Sequence, residues 1–171
     1  MGEEMPKGVA AVLAAFLLVG ASVRADDRPQ LYFGLGGDDI NNKHSRASGA
    51  SVEVGSTSFG WRDRFRWRAA LMVSGDRDLW IGAGVSFNAF ERDPWFLELS
   101  FLPGVLWRGN AAINEDSVHA PQFRSQVAIG YRFENGATLS LTASHSSNGK
   151  FDSSGSSTEA IMLRYGIPLG Q

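Results

Sequence analysis

Residues 94–107 read PWFLELSFLPGVLW, and the spacing of their side chains decides the fold. In an extended strand successive side chains point to opposite faces. Trp95, Leu97, Leu99, Phe101, Val105 and Trp107 therefore share one face, and Phe96, Glu98, Ser100, Leu102 and Gly104 share the other. The first face is apolar; the second mixes apolar, small and charged groups. The same division recurs downstream, where Phe123, Val127, Ile129, Tyr131 and Phe133 oppose Gln122, Arg124, Gln126, Gly130 and Arg132. It recurs once more with Ile161, Leu163, Tyr165, Ile167 and Leu169 set against Ala160, Met162, Arg164 and Gly166.

Working outward from this stretch, alternation predicts strands over 30–37, 49–60, 64–74, 78–90, 94–107, 120–133, 137–148 and 158–169. The connections alternate. Residues 38–48, 108–119 and 149–157 are long, with a modest one at 75–77, whereas 61–63, 91–93 and 134–136 are tight. An even number of strands joined in this way indicates an all-β chain, an eight-stranded antiparallel up-and-down transmembrane β-barrel with long loops on the outer side. A soluble eight-stranded barrel would turn its apolar face inward around a ligand, and alternation by itself is compatible with that arrangement. Three features favour the membrane. The apolar faces run about nine residues or more, the length of a tilted spanning strand. Aromatics mark the strand ends, with Phe65, Trp67, Phe87, Trp95, Tyr131 and Phe133 on the tight-turn side and Trp107 and Phe123 on the other. The polar face carries Arg66, Arg68, Arg124, Arg132 and Arg164 with Glu53 and Glu98, a set able to neutralise itself in part within a narrow, side-chain-filled lumen.

The beginning of the chain sets the compartment. A short polar stretch to Lys7, an apolar run from Gly8 to Ala21 and the sequence Ser22-Val23-Arg24-Ala25 form a secretory signal peptide, cleaved after Ala25. The apolar run is too short to span a hydrocarbon layer of about 30 Å. Residues 1–25 are thus expected to be the signal peptide and 26–171 the barrel. The chain has no cysteine, so disulfides and thiol nucleophiles are excluded, and its three histidines argue against a multi-histidine metal site. With 16 basic and 18 acidic residues and no basic patch, nucleic acid is not an expected partner.

The chemistry concentrates in residues 141–159, LTASHSSNGKFDSSGSSTE. His145 and Ser147 are two apart, so in a strand they share a face with Cα atoms roughly 6.5 to 7 Å apart. Glu159 opens the next alternating run and returns beside His145 if the two runs form a hairpin. A serine, a histidine and a carboxylate are the parts of an acyl-transfer triad, in which the histidine takes the serine proton and the carboxylate orients the imidazole. A solvated loop junction would use the same residue types. The faces add information: His145 and Ser147 continue the row Leu139, Leu141, Ala143, and Glu159 heads the row Ile161, Leu163, Tyr165. The three groups face lipid at the long-loop end, where the cost of a polar group falls toward zero.

The segment His145-Ser146-Ser147-Asn148, followed by a polar loop and by Glu159 in the last strand, resembles the active-site signature of the lipid A 3-O-deacylases, the PagL family. The turn Phe133-Glu134-Asn135-Gly136 and the closing Tyr165-Gly166-Ile167-Pro168 are similar to that family as well. The resemblance implies an outer-membrane serine esterase that hydrolyses the 3-position acyl ester of lipid A in lipopolysaccharide and releases a 3-hydroxy fatty acid. It implies Ser147 as nucleophile, His145 as general base, Glu159 as orienting carboxylate, and Asn148 and Gly149 as the oxyanion hole. It implies no metal and no cofactor, outer-membrane lipids as surroundings, and leaves open a homodimer. Asp152 is a second carboxylate in the loop, less well placed to orient His145. The alternatives are a non-enzymatic eight-stranded outer-membrane barrel with an adhesive or structural role, and a soluble lipid-binding barrel.

One consequence is measurable without any assay of activity. Intact mass of the protein recovered from the bacterial envelope is expected to match a chain beginning at Asp26; a mass retaining residues 1–25 would refute the cleavage.

Overall fold

The computed structural model describes residues 27–40, 47–60, 63–75, 77–107, 118–149 and 157–170, so the expected signal peptide lies outside the described residues. Eight strands follow one another: β1 (Gln30–Asp38), β2 (Ala47–Phe59), β3 (Phe65–Ser74), β4 (Leu79–Arg92), β5 (Trp95–Trp107), β6 (Val118–Arg132), β7 (Thr138–Ser147) and β8 (Ser157–Pro168). Every bound lies within two residues of the span that alternation predicts. Each strand pairs antiparallel with the next, and β8 returns to β1 through the register Gln30↔Pro168 to Gly37↔Ile161, closing the barrel.

The outside is apolar. Leu35, Trp95, Ile129, Leu141 and Leu163 are each more than half exposed, and the outward rows between them are also hydrophobic. Such a belt is unfavourable against water and favourable against hydrocarbon. The inside carries the charges, which removes the soluble, ligand-filled barrel from consideration. Stacked and edge-on aromatics gather toward the tight-turn rim, among them Phe59 on Trp67 at 5.1 Å and Trp95 against Tyr131 at 5.4 Å.

Two layers fill the lumen. On the long-loop side Met72, Trp80, Leu102, Leu106, Ala160 and Met162 pack into an apolar cluster. Below it lies a buried network of four charges. Glu53 Oε2 accepts from Arg68 at 2.9 Å and from Arg164 at 3.0 Å, while Glu98 accepts from Arg68 at 2.6 Å and from Arg164 at 2.8 Å. Both guanidinium groups lie over the Tyr32 ring, at 4.4 and 4.5 Å. That ring takes the space a side chain would need at position 166, where an added Cβ would come within 2.7 Å of it, so the strand carries Gly166 there. The other expected lumen arginines divide differently. Arg66 pairs with Asp27 at 2.8 Å and Arg132 with Glu91 at 2.6 Å, both toward the tight-turn rim. Arg124 lies over Trp80 and donates to Met72 Sδ at 3.2 Å.

Three register shifts interrupt the ladders, between Gly55 and Ser58, Asn88 and Phe90, and Gly104 and Leu106. The second reverses the facing of the strand end: strict alternation would send Phe90 inward with Asn88, yet Phe90 is 51% exposed. At the tight-turn rim the ends of the barrel meet. Leu169 N–H donates to Pro29 O at 2.7 Å, and Arg28 donates to Asn135 O at 2.9 Å.

The charge network predicts an asymmetric mutational response. Arg164→Met leaves two buried carboxylates sharing one guanidinium and is expected to destabilise by about 3 to 5 kcal/mol. Adding Glu53→Gln to Arg164→Met should cost less than the sum of the single changes, because the pair shares one interaction. Urea unfolding in lipid vesicles, followed by heat-modifiable gel migration, reads both; additive losses would show that the network is not coupled.

Candidate active site

The β7–β8 hairpin brings the predicted residues together. Its ladder pairs Ser147 with Ser157, His145 with Glu159, Ala143 with Ile161 and Leu141 with Leu163. All of these lie on the outward face, because the alternate positions Thr142, Ser144, Ala160 and Met162 are buried in the lumen. Directly paired residues in an antiparallel ladder hold their Cβ atoms about 4.5 to 5.5 Å apart. The His145 and Glu159 side chains use that proximity: Nδ1 lies 3.0 Å from Oε1, with the imidazole N–H donating. They are half and about one-third exposed. This bond leaves Nε2 as the ring nitrogen available to take a proton from a nucleophile. Ser147 follows His145 on the same face, one alternation closer to the loop.

A backbone contact holds the end of β8 that carries Glu159 from its other side. The β1–β8 ladder ends at Gly37↔Ile161, short of Glu159. There Ile40 N–H donates to Glu159 O at 3.1 Å, so the start of the first long loop fixes the strand end that presents the carboxylate. Of the remaining predicted residues, Asn148 is buried, 3% exposed. Gly149 is exposed, with a left-handed φ of 61° that begins the loop and that glycine adopts without strain. Asp152 lies outside the described residues.

A surface groove of about 590 Å³ opens beside the pair, between β5 and β8. His145 and Glu159 lie at its loop-side end, and Leu99, Val127, Ile161 and Ile40 are its larger apolar contributors, together with the small side chain of Ala143. Ala143 is the smallest member of its row, in which Leu99, Val127, Ala143 and Ile161 are successive ladder partners. One row nearer the loops, Phe101, Ser125, His145 and Glu159 are partners in the same way. Sequence reasoning missed Ser125, Ala143 and Ile40. Ser125 carried a signal, since it alone interrupts the apolar row Phe123, Val127, Ile129, Tyr131. Ile40 carried none, since it lies in a loop whose path alternation does not encode.

An outward His–Glu pair over an apolar groove, at the loop side of a lipid-facing barrel, suits hydrolysis of an amphiphilic ester drawn from the surrounding lipid. A search of curated protein sequences finds no match. Among solved structures, the crystal structure of the outer membrane enzyme PagL superposes with a TM-score of 0.57 at 15% identity, over 82% of this chain and 99% of that one. A de novo designed transmembrane β-barrel and the Yersinia pestis outer membrane protein Ail give TM-scores of 0.47 and 0.44, at 12% and 8% identity. Each of those two alignments covers 82% of this chain, with 96% of the designed barrel and 100% of Ail. The family model for lipid A 3-O-deacylase (PagL) matches residues 50–168, a span that holds β3 to β8, most of β2 and the whole β7–β8 hairpin. The chain belongs to the lipid A 3-O-deacylase (PagL) family.

Proposed function

We propose that the protein is a serine esterase of the bacterial outer membrane that hydrolyses the 3-position acyl ester of lipid A, with Ser147, His145 and Glu159 as its triad. The observation that carries this reading is the cross-strand hydrogen bond of 3.0 Å from His145 Nδ1 to Glu159 Oε1, one alternation away from Ser147. Family membership supports the reaction class. The lipid-facing location supports the substrate: an ester in the outer leaflet reaches this face by lateral diffusion, without passing through a lumen that the charge network fills.

In the reaction, Ser147 Oγ attacks the ester carbonyl as its proton passes to His145 Nε2. The negative Glu159 stabilises the imidazolium and holds the ring in the tautomer that leaves Nε2 free to accept. Asn148 and Gly149 are the assigned donors to the oxyanion, and the Gly149 amide, on an exposed residue, is the more accessible of the two. Loss of one such donor typically costs about 10²- to 10³-fold. His145 then returns the proton to the departing 3-hydroxyl of the lipid A sugar. A water molecule, deprotonated by the same nitrogen, hydrolyses the acyl-serine and releases a 3-hydroxy fatty acid. Nothing in this sequence needs a metal or an organic cofactor.

Mass spectrometry of lipid A incubated with the refolded barrel is expected to show loss of one 3-hydroxyacyl chain, and none with Ser147→Ala. Glu159→Gln keeps the shape but removes the charge, and should lower kcat by about 10²- to 10⁴-fold. Unchanged lipid A from several donors, with a barrel that migrates as folded, would instead favour a non-enzymatic outer-membrane barrel.

A further inference from the structure

Ser125 occupies an unusual position for a hydroxyl. It lies on the lipid-facing side of β6, between Phe101 on β5 and His145 on β7, as the ladder partner of both. One row toward the middle of the membrane the surface becomes apolar, with Val127, Ala143 and Ile161. Ser125 and His145 thus stand together at the loop-side end of the groove, and the floor beyond them is hydrocarbon. Such a surface is complementary to a molecule that is polar near its ester and apolar further along.

We propose that Ser125 is a specificity-determining residue, whose hydroxyl pairs with a hydroxyl borne close to the ester carbonyl of the scissile acyl chain while the tail runs over Ala143. This rests on the deacylase reading above. With the ester carbonyl held at Ser147 and His145, a substituent two bonds along the chain comes to the level of the Phe101–Ser125–His145 row. The sugar must remain on the loop side with its charged and hydroxylated groups in water, so the acyl chain is the part that enters the groove. A hydroxyl carried into this apolar surface without a partner loses its hydrogen bonds to water and is disfavoured. Ser125 supplies that partner, and an unsubstituted acyl chain leaves it unused. The chain that Ser125 favours is therefore the 3-hydroxyacyl group already named as the product of the proposed reaction.

The test compares two lipid A analogues in detergent micelles, identical except that one bears a 3-hydroxyacyl ester and the other an unsubstituted acyl ester of equal length at the scissile position. The parent barrel is expected to cleave the hydroxylated ester with a kcat/KM about 3- to 10-fold higher, the scale of one net hydrogen bond. Ser125→Ala should bring that ratio near one by slowing only the hydroxylated ester, and Ser125→Thr should restore it. An unchanged ratio in Ser125→Ala, or an equal loss on both esters, would overturn the role of Ser125 while leaving the deacylase reading intact. A parent that cleaves neither ester, although it migrates as folded, overturns both.

Discussion

Everything in the molecule depends on the four buried charges of the lumen. Arg68 and Arg164 face Glu53 and Glu98 in a ring of hydrogen bonds between 2.6 and 3.0 Å, all four side chains nearly sealed from solvent. The ring is neutral as a whole, and each carboxylate accepts from both guanidinium groups. Its members come from β2, β3, β5 and β8, so it spans the barrel from first half to last. Full compensation of the charges therefore requires closure of the sheet: without β8 the two carboxylates retain a single guanidinium. Once this ring occupies the interior, the alternate positions of the same strands must face outward, and only lipid accommodates an apolar belt of that extent.

The candidate site inherits its precision from the same sheet. His145 and Glu159 are not brought together by a loop; they are ladder partners, placed by hydrogen-bonded backbone on strands whose inner faces are packed. Sites carried on such elements hold their geometry better than sites on loops. The cost of two polar groups on the lipid face stays low because they lie at the loop end of the strands and neutralise each other's polarity through a direct hydrogen bond.

Much of this was readable in the sequence, for a definite reason. A lipid-facing barrel writes both of its surfaces into the chain at a period of two, so Leu97, Leu99 and Phe101 against Glu98 and Ser100 disclose the fold, and His145, Ser147 and Glu159 fall on the outer face by the same counting. The illegible parts are those the period does not control. A register shift turns Phe90 outward. Asp27, which precedes the first strand, finds Arg66 and Ser58 across the rim. Ile40 reaches Glu159 from a loop start. Each is a contact between segments distant in sequence, set by where the barrel closes and not by any local pattern. Ser125 lies between these cases: its facing is evident from the sequence, but its adjacency to His145 needs the β6–β7 register.

Both ends of the described chain are tied at the tight-turn rim, where Pro29 meets Leu169 and Arg28 reaches Asn135, whereas the His145–Glu159 pair lies at the far end of the strands. The barrel is therefore polar along its axis in a way its closed sheet alone is not. Inserted with the long loops outward, it would present the His145–Glu159 pair to one leaflet; inserted the other way, the same unaltered atoms would meet the other. Direction of insertion would thus decide which leaflet the His145–Glu159 pair faces.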